Sequence, residues 1–518
     1  MGLVASFRFL SLTGFPDDHY VHLAGAQQML HGEWPSRDFA DLGAPLTYAV
    51  SAVAQALFGQ RQLTEAWLMA TAFALGAVLT LRAGVMLTGS VALGVAAALI
   101  EVLIFPRTYS YPKIVLYAAA AVFLLWYARR PSPARILTLA AFVVFAFLVR
   151  HDHGLYIGSA SLIAVSLAPL PSDRVKGWAS VALFVAAGLA LVLPYLIYLQ
   201  LVDGIVVHVR RALEFAALEA PRQRLDLGEN PFHAAWLRYM TWLVPAIALA
   251  VMAYEAVAKK AEASRILRQI APLVTLALVA NMGLIRDRLE VRLPDAIVAP
   301  ALLLVWLVYQ TWQRLPAPFS FSFAARTMSL AALLITIWCA ALMGNAVEQL
   351  DRVGVFNGVG RLPIRFGERV AEMDRPWVGR QAPSEAARVM RPFFDYADRC
   401  IGPDARLLVP GFLPEVPVLA RRMVAGGQVW FMAGALTTPA DHALVMRRLA
   451  SQRVAIAVVR RPTYDDLARE FPELDAYITS RFTPIASWSL GGDDSITLLA
   501  NESLATRRDA ETTWPCFR

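Results

Sequence analysis

Two aspartates stand side by side at positions 17 and 18, after Pro16 and before His19 and Tyr20. A surface carboxylate can act as general base for an incoming hydroxyl, and an acid held against a membrane is costly unless it is solvated or used. The bland role for such a residue is to cap a helix by accepting backbone N–H bonds. The tandem pair, with Asp38 and Asp41 following and Arg37 beside them, favours the chemical role. A second set is cationic: Arg107 and Lys113 flank a short polar stretch, Arg150 opens Arg150-His151-Asp152-His153-Gly154, and Arg286, Arg288 and Arg292 precede Leu293-Pro294-Asp295. Arginine meets phosphate with paired N–H groups, so a bound anion is the natural partner of these residues. Their plain alternative is to snorkel to lipid headgroups or to pair with Asp152, Asp287 and Glu290. His19 with His22, and His151 with His153, are ligand types for a divalent metal. Membrane-surface histidines serve more often as hydrogen-bonding residues, so no metal or other cofactor is assigned.

The elements that must position these groups are helices in a membrane. The chain of 518 residues is 57% hydrophobic and only 17% charged, with a mean hydropathy of +0.50, too apolar for an ordinary soluble globule. Apolar runs near 63–87, 90–106, 112–128, 135–149, 154–169, 178–201, 236–258, 270–285, 293–312 and 326–345 have the length of membrane-crossing helices. A short apolar start over 1–15 brings the expected total to about 11 spans. The formal charge of +8 does not point to nucleic acid, because lysine occurs only at 113, 176, 259 and 260 and the arginines form no basic face. The lipid bilayer is the partner that this composition implies.

Lysine and arginine in alternate short connections, around 129–135, 174–176 and 259–268, mark the cytoplasmic side. The opposite, extracytoplasmic side then receives 16–62, 106–112, 150–154, 202–235, 286–292 and the tail after about 346. Within the first outer loop, 19–30 and 46–58 read as helices along the membrane surface, the second ending at Gly59. Residues 202–235 are expected to carry an amphipathic helix with Arg210-Arg211 and Glu214. Two domains are expected, a transmembrane one over 1–345 and a C-terminal α/β one over 346–518. In the latter, strand-like runs at 406–409 and 454–459 flank a helix at 439–451, with another helix at 472–481. No glycine-rich phosphate fingerprint follows either run. Cys400 and Cys516 allow one disulfide if the tail is exported.

Four passages taken in order, PDDHYVHLAGAQQML (16–30), RDFADLGAPLTYAVSAVAQALFG (37–59), RHDHG (150–154) and RDRLEVRLPDAIVAPALL (286–303), resemble the GT-C superfamily of membrane glycosyltransferases. The likeness is to bacterial members similar to protein mannosyltransferases and aminoarabinose transferases. It implies an inverting glycosyltransferase, hexosyl or pentosyl, of the bacterial inner membrane that moves a sugar from a polyprenyl-phosphate donor to an extracytoplasmic lipid, glycan or protein. It also implies that Asp17 is the catalytic base or its organiser, with Asp18 and Asp41 as the further acids. The donor phosphate would be held by Arg150, Arg286, Arg288, Arg292 and Lys113, and His19, Arg37, Asp38, Asp152 and His153 would lie near substrate. Here the later acid of the loop is spaced differently from the family pattern. The rival readings are a lipid or polysaccharide transporter, whose charges would line a path, and a noncatalytic envelope-assembly scaffold.

Overall fold

Alanine and leucine lose little rotamer freedom in a helix, and a long apolar helix satisfies every backbone group internally, which lipid demands. The computed structural model describes residues 1–41, 43–170, 177–219, 231–258, 260–285, 289–314, 319–374, 384–435 and 438–518. Within them, each of the ten apolar runs falls on helix. Among the described residues, six helices are long and apolar enough to cross a membrane: Gln62–Thr88, Thr108–Arg129, Trp178–Val202, Phe232–Val257, Ser264–Leu284 and Phe323–Met343. Pro45–Phe58, Val91–Leu103 and Pro133–Val149 are apolar but shorter, and the N-terminal helix Gly2–Leu10 has only 9 residues. The run expected over 293–312 is divided: Leu289–Ala296 and Val298–Arg314 are separate helices on either side of Ile297.

The chain forms two compact units. The first joins residues 1–11, 69–197 and 219–367, and the second joins 12–68, 198–218 and 368–518. In the first unit, close helix packing is set by small residues, as is usual where lipid competes for apolar faces. Gly154 is one such case. His151–Leu167 starts directly after Arg150, and a Cβ on Gly154 would lie 2.2 Å from the Cα of Phe147 in Pro133–Val149. The RHDHG passage is therefore the first helical turn of a tight helix pair, with Arg150 alone as the link, and not an open hairpin tip.

The second unit is built on the tail's sheet: β1 (Arg406–Leu408), β2 (Val454–Arg461), β3 (Thr483–Gly491) and β4 (Asp494–Ala500), in the order β1-β2-β4-β3. β1 and β2 are parallel, with Pro439–Ser451 in the crossover between them, while β4 runs antiparallel to both β2 and β3. Residues 454–459 are buried without alternation, as a central strand covered on both faces requires. Val445, Leu449, Leu467, Phe471 and Ile478 pack on it from the helices. Each fully buried side chain of this kind contributes about 1.5–3 kcal/mol. The β3–β4 hairpin was not foreseen, although Gly491-Gly492, both at positive φ, separates two alternating runs. A disulfide joins Cys400 to Cys516 across 116 residues of chain, a closure of the order of 4–5 kcal/mol in the chain-entropy picture.

The outer-loop helices belong to this second unit. Asp17–Leu30 packs on Pro45–Phe58, where Gly25 admits Tyr48: a Cβ there would be 2.8 Å from the ring. The helix also packs on Glu415–Ala420 of the tail. Its buried residues run nearly all round, from His19 and Tyr20 to Gln27 and Gln28, so the surface-lying amphipathic helix expected for 19–30 is instead enclosed by protein. Gln27 donates to the carbonyls of Pro417 (3.0 Å) and Arg422 (2.9 Å), and Gln28 accepts from the Val424 N–H at 3.1 Å. These bonds explain how two amides can be buried at modest cost.

Candidate active site

The acidic group lies in the second unit. Pro16 occupies the N-cap of Asp17–Leu30 and makes no side-chain cap bond, which puts Asp17 and Asp18 in the first helical turn. There they favour the helix dipole without serving as the cap. Asp17 is half-buried and Asp18 exposed. Burial, and next the charge of Asp18, push the Asp17 carboxyl above the usual range, while Arg460 opposes them. Arg460 extends from β2 and is held by Asp494 of β4 through bonds of 3.0 and 2.7 Å.

A third acid enters from the tail. Glu415 is 1% exposed, accepts a bond from the Ser384 hydroxyl at 2.9 Å, and has a second oxygen without a hydrogen-bond partner among the described residues. Burial, then the charge of Asp17, push its carboxyl up to about 7. Asp17, Glu415 and Arg460 thus act on one another electrostatically. Sequence reading missed Glu415 and Arg460. The one available signal was a lone acid between Phe412-Leu413-Pro414 and Val416-Pro417-Val418.

The remaining loop residues have defined places. His19 is fully buried, 2.9 Å from Glu65, and Ser51 donates to the same carboxylate oxygen at 3.1 Å. Asp41 is 6% exposed and accepts the N–H groups of Gly43 and Ala44, each at 2.9 Å, which sets the entry to Pro45–Phe58. Burial raises its carboxyl, against the pull of these bonds and of the His208 charge. Arg37 is exposed and pairs with Asp38 at 2.6 Å, and Asp38 also accepts the Trp34 N–H at 2.8 Å.

The cationic group lies in the first unit. Lys113, 2% exposed, meets Asp295 at 2.6 Å. Arg150 holds Asp152 side-on through bonds of 2.9 and 3.1 Å. His153 is buried and bonds through Nδ1 to the Tyr117 hydroxyl, while its backbone N–H reaches Asp152 at 2.9 Å. Arg150 and the half-buried Arg292 both act electrostatically on Lys113. Three cations therefore gather with two carboxylates, leaving one positive charge in excess within this group. Arg286 and Arg288 lie outside the described residues. Among those described, one trio of ligand-type atoms is close enough to share an ion, Cys400, Asp509 and Cys516, and its two sulfurs are joined to each other.

No family model and no curated protein matches the chain. It is similar to the solved structure of ArnT from Cupriavidus metallidurans bound to undecaprenyl phosphate, at 15% identity over 99% of this chain and 97% of that one, with a TM-score of 0.47. It is also similar to ArnT of the same organism in the apo state, at 16% identity over 96% of each chain, with a TM-score of 0.43.

Proposed function

We propose that this chain is a GT-C-type glycosyltransferase that moves a hexosyl or pentosyl group, with inversion, from a polyprenyl-phosphate donor to an extracytoplasmic glycan, lipid or protein. The observation that carries the reading is Asp17. It is a half-buried acid at the start of a helix that it does not cap, with its proton affinity moved toward neutrality by burial and by Asp18. A general base works best when its pKa approaches the operating pH, so this setting suits removal of a proton from an acceptor hydroxyl. Asp18 tunes Asp17, and Asp41 shapes the loop that carries both.

The leaving group of such a donor is a phosphate anion, for which fixed cations are the natural stabilisers. Lys113, Arg150 and Arg292 supply them, with Arg286 and Arg288 assigned to the same task from sequence. Asp152, His153 and Asp295 orient these cations, and His19, Arg37 and Asp38 brace the acidic loop. The polyprenyl-phosphate donor class rests on the resemblance carried by residues 16–30, 37–59, 150–154 and 286–303. The same reading takes about 11 spans over 1–345 in a bacterial inner membrane, with the loop 16–62 and the domain 346–518 on the extracytoplasmic side. The Cys400–Cys516 disulfide supports an oxidising compartment for that domain.

The test offers purified protein a panel of labelled polyprenyl-phosphate sugars and follows release of polyprenyl phosphate. Turnover with one donor is expected, and Asp17→Asn should lower it by roughly 10²–10⁴-fold. No turnover with any donor, together with unchanged pathway output in cells carrying Asp17→Ala or Asp18→Ala, would overturn the reading.

A further inference from the structure

The stretch from Val355 to Gly367, Val-Phe-Asn-Gly-Val-Gly-Arg-Leu-Pro-Ile-Arg-Phe-Gly, contains two arginines and no acid. Phe356 is 61% exposed, Val359 69% and Ile364 64%. Single exposed apolar residues are ordinary on a protein surface, but three large ones within nine positions, beside an exposed Arg361 and a half-buried Arg365, mark a surface that expects an apolar partner with an anionic rim. The chain reaches this stretch directly from the last apolar helix, Phe319–Met343, through the short helix Ala346–Val353. Eight helical residues and a few extended ones keep Val355 within roughly 25 Å of the end of that helix. Phe319–Met343 itself exposes Leu334 (56%) and Trp338 (53%), side chains that a lipid-facing surface accommodates.

We infer that residues 355–367 are a membrane-interface anchor, with Phe356, Val359 and Ile364 seated at the acyl boundary and Arg361 and Arg365 on the phosphates of anionic phospholipids. The occupant is the bilayer that receives the preceding helix. Apolar side chains beside arginine, with no carboxylate between, fit the headgroup layer better than they fit water. Gly358, at positive φ, lets the chain turn within the layer. The inference rests on the membrane reading of Phe319–Met343 and not on the transferase chemistry.

The experiment uses the full chain with Cys339→Ala, which removes the one free thiol while leaving the Cys400–Cys516 disulfide intact. Nitroxide labels are placed singly through Phe356→Cys, Val359→Cys, Trp338→Cys and Asp493→Cys, in vesicles of phosphatidylethanolamine and phosphatidylglycerol. Collision with oxygen and with a water-soluble nickel chelate is then measured at each. Labels at 356 and 359 should favour oxygen, with nickel collision several-fold lower than at 493, at a depth shallower than 338. Nickel access at 356 and 359 equal to that at 493 would overturn the anchor. So would shielding from both reagents, the mark of a protein partner. Should 338 itself behave like 493, the span assignment fails, and the anchor with it.

Discussion

A buried acid beside the proposed base changes how the protein responds to pH. Glu415 is lifted from its ordinary 4.5 to about 7 by burial and by Asp17. Between those values the unfolded chain has released the Glu415 proton while the folded chain keeps it, so the unfolded state binds fewer protons and stability falls as pH rises. Below about 4.5 both states are protonated, and above about 7 the loss is complete. Glu415→Gln should remove this slope and stabilise the protein at pH 8 by at most about 3 kcal/mol, seen as a higher melting temperature there and an unchanged one at pH 4. An unchanged difference between the two pH values would assign the slope to other groups. Asp17 and Arg150 stand out as candidates in the sequence because their type and their place between apolar runs imply chemistry. Glu415 was not, since its character comes from enclosure by residues far along the chain.

Elements were read well where lipid dictates them and less well where protein does. The ten apolar runs became helices because a membrane leaves the backbone no other choice. The expectation that 19–30 lies along the membrane surface rests on its apolar positions alone and does not reveal that Gln27 and Gln28 find carbonyl and amide partners in the tail. Gly154 likewise read as part of a loop, whereas it lets two helices touch. Gly154→Ala should cost about 1–3 kcal/mol through the forced separation from Phe147, lowering the melting temperature in detergent. Gly89→Ala in the same unit tests strain of another kind, since nothing lies within 4 Å but its φ is +71°. Melting equal to wild type for Gly154→Ala would show that the helix pair relaxes freely.

At the scale of the molecule, sidedness is the property on which the proposed chemistry depends. Single cysteines replacing Ser132 and Ser480 should react with an impermeant maleimide from opposite faces of sealed vesicles, and labelling from the same face would overturn the assignment. The tail's own cysteines add an independent readout: alkylation should modify Cys400 and Cys516 only after reduction. Composition announced a membrane protein with a folded tail, but nothing in it announced that the loop 12–68 and the tail form one unit. That union is a matter of long-range hydrogen bonds, which periodicity does not encode.

The union also sets a schedule for biogenesis. Gln27 leaves the ribosome 390 residues before Pro417, the carbonyl to which it bonds. At the usual pace of synthesis, about 5–20 residues per second, the first loop therefore waits roughly 20–80 s with its amides and apolar side chains uncovered. During that interval it is a natural client for chaperones, and a ribosome that stalls before residue 417 releases a product whose first loop never finds its cover.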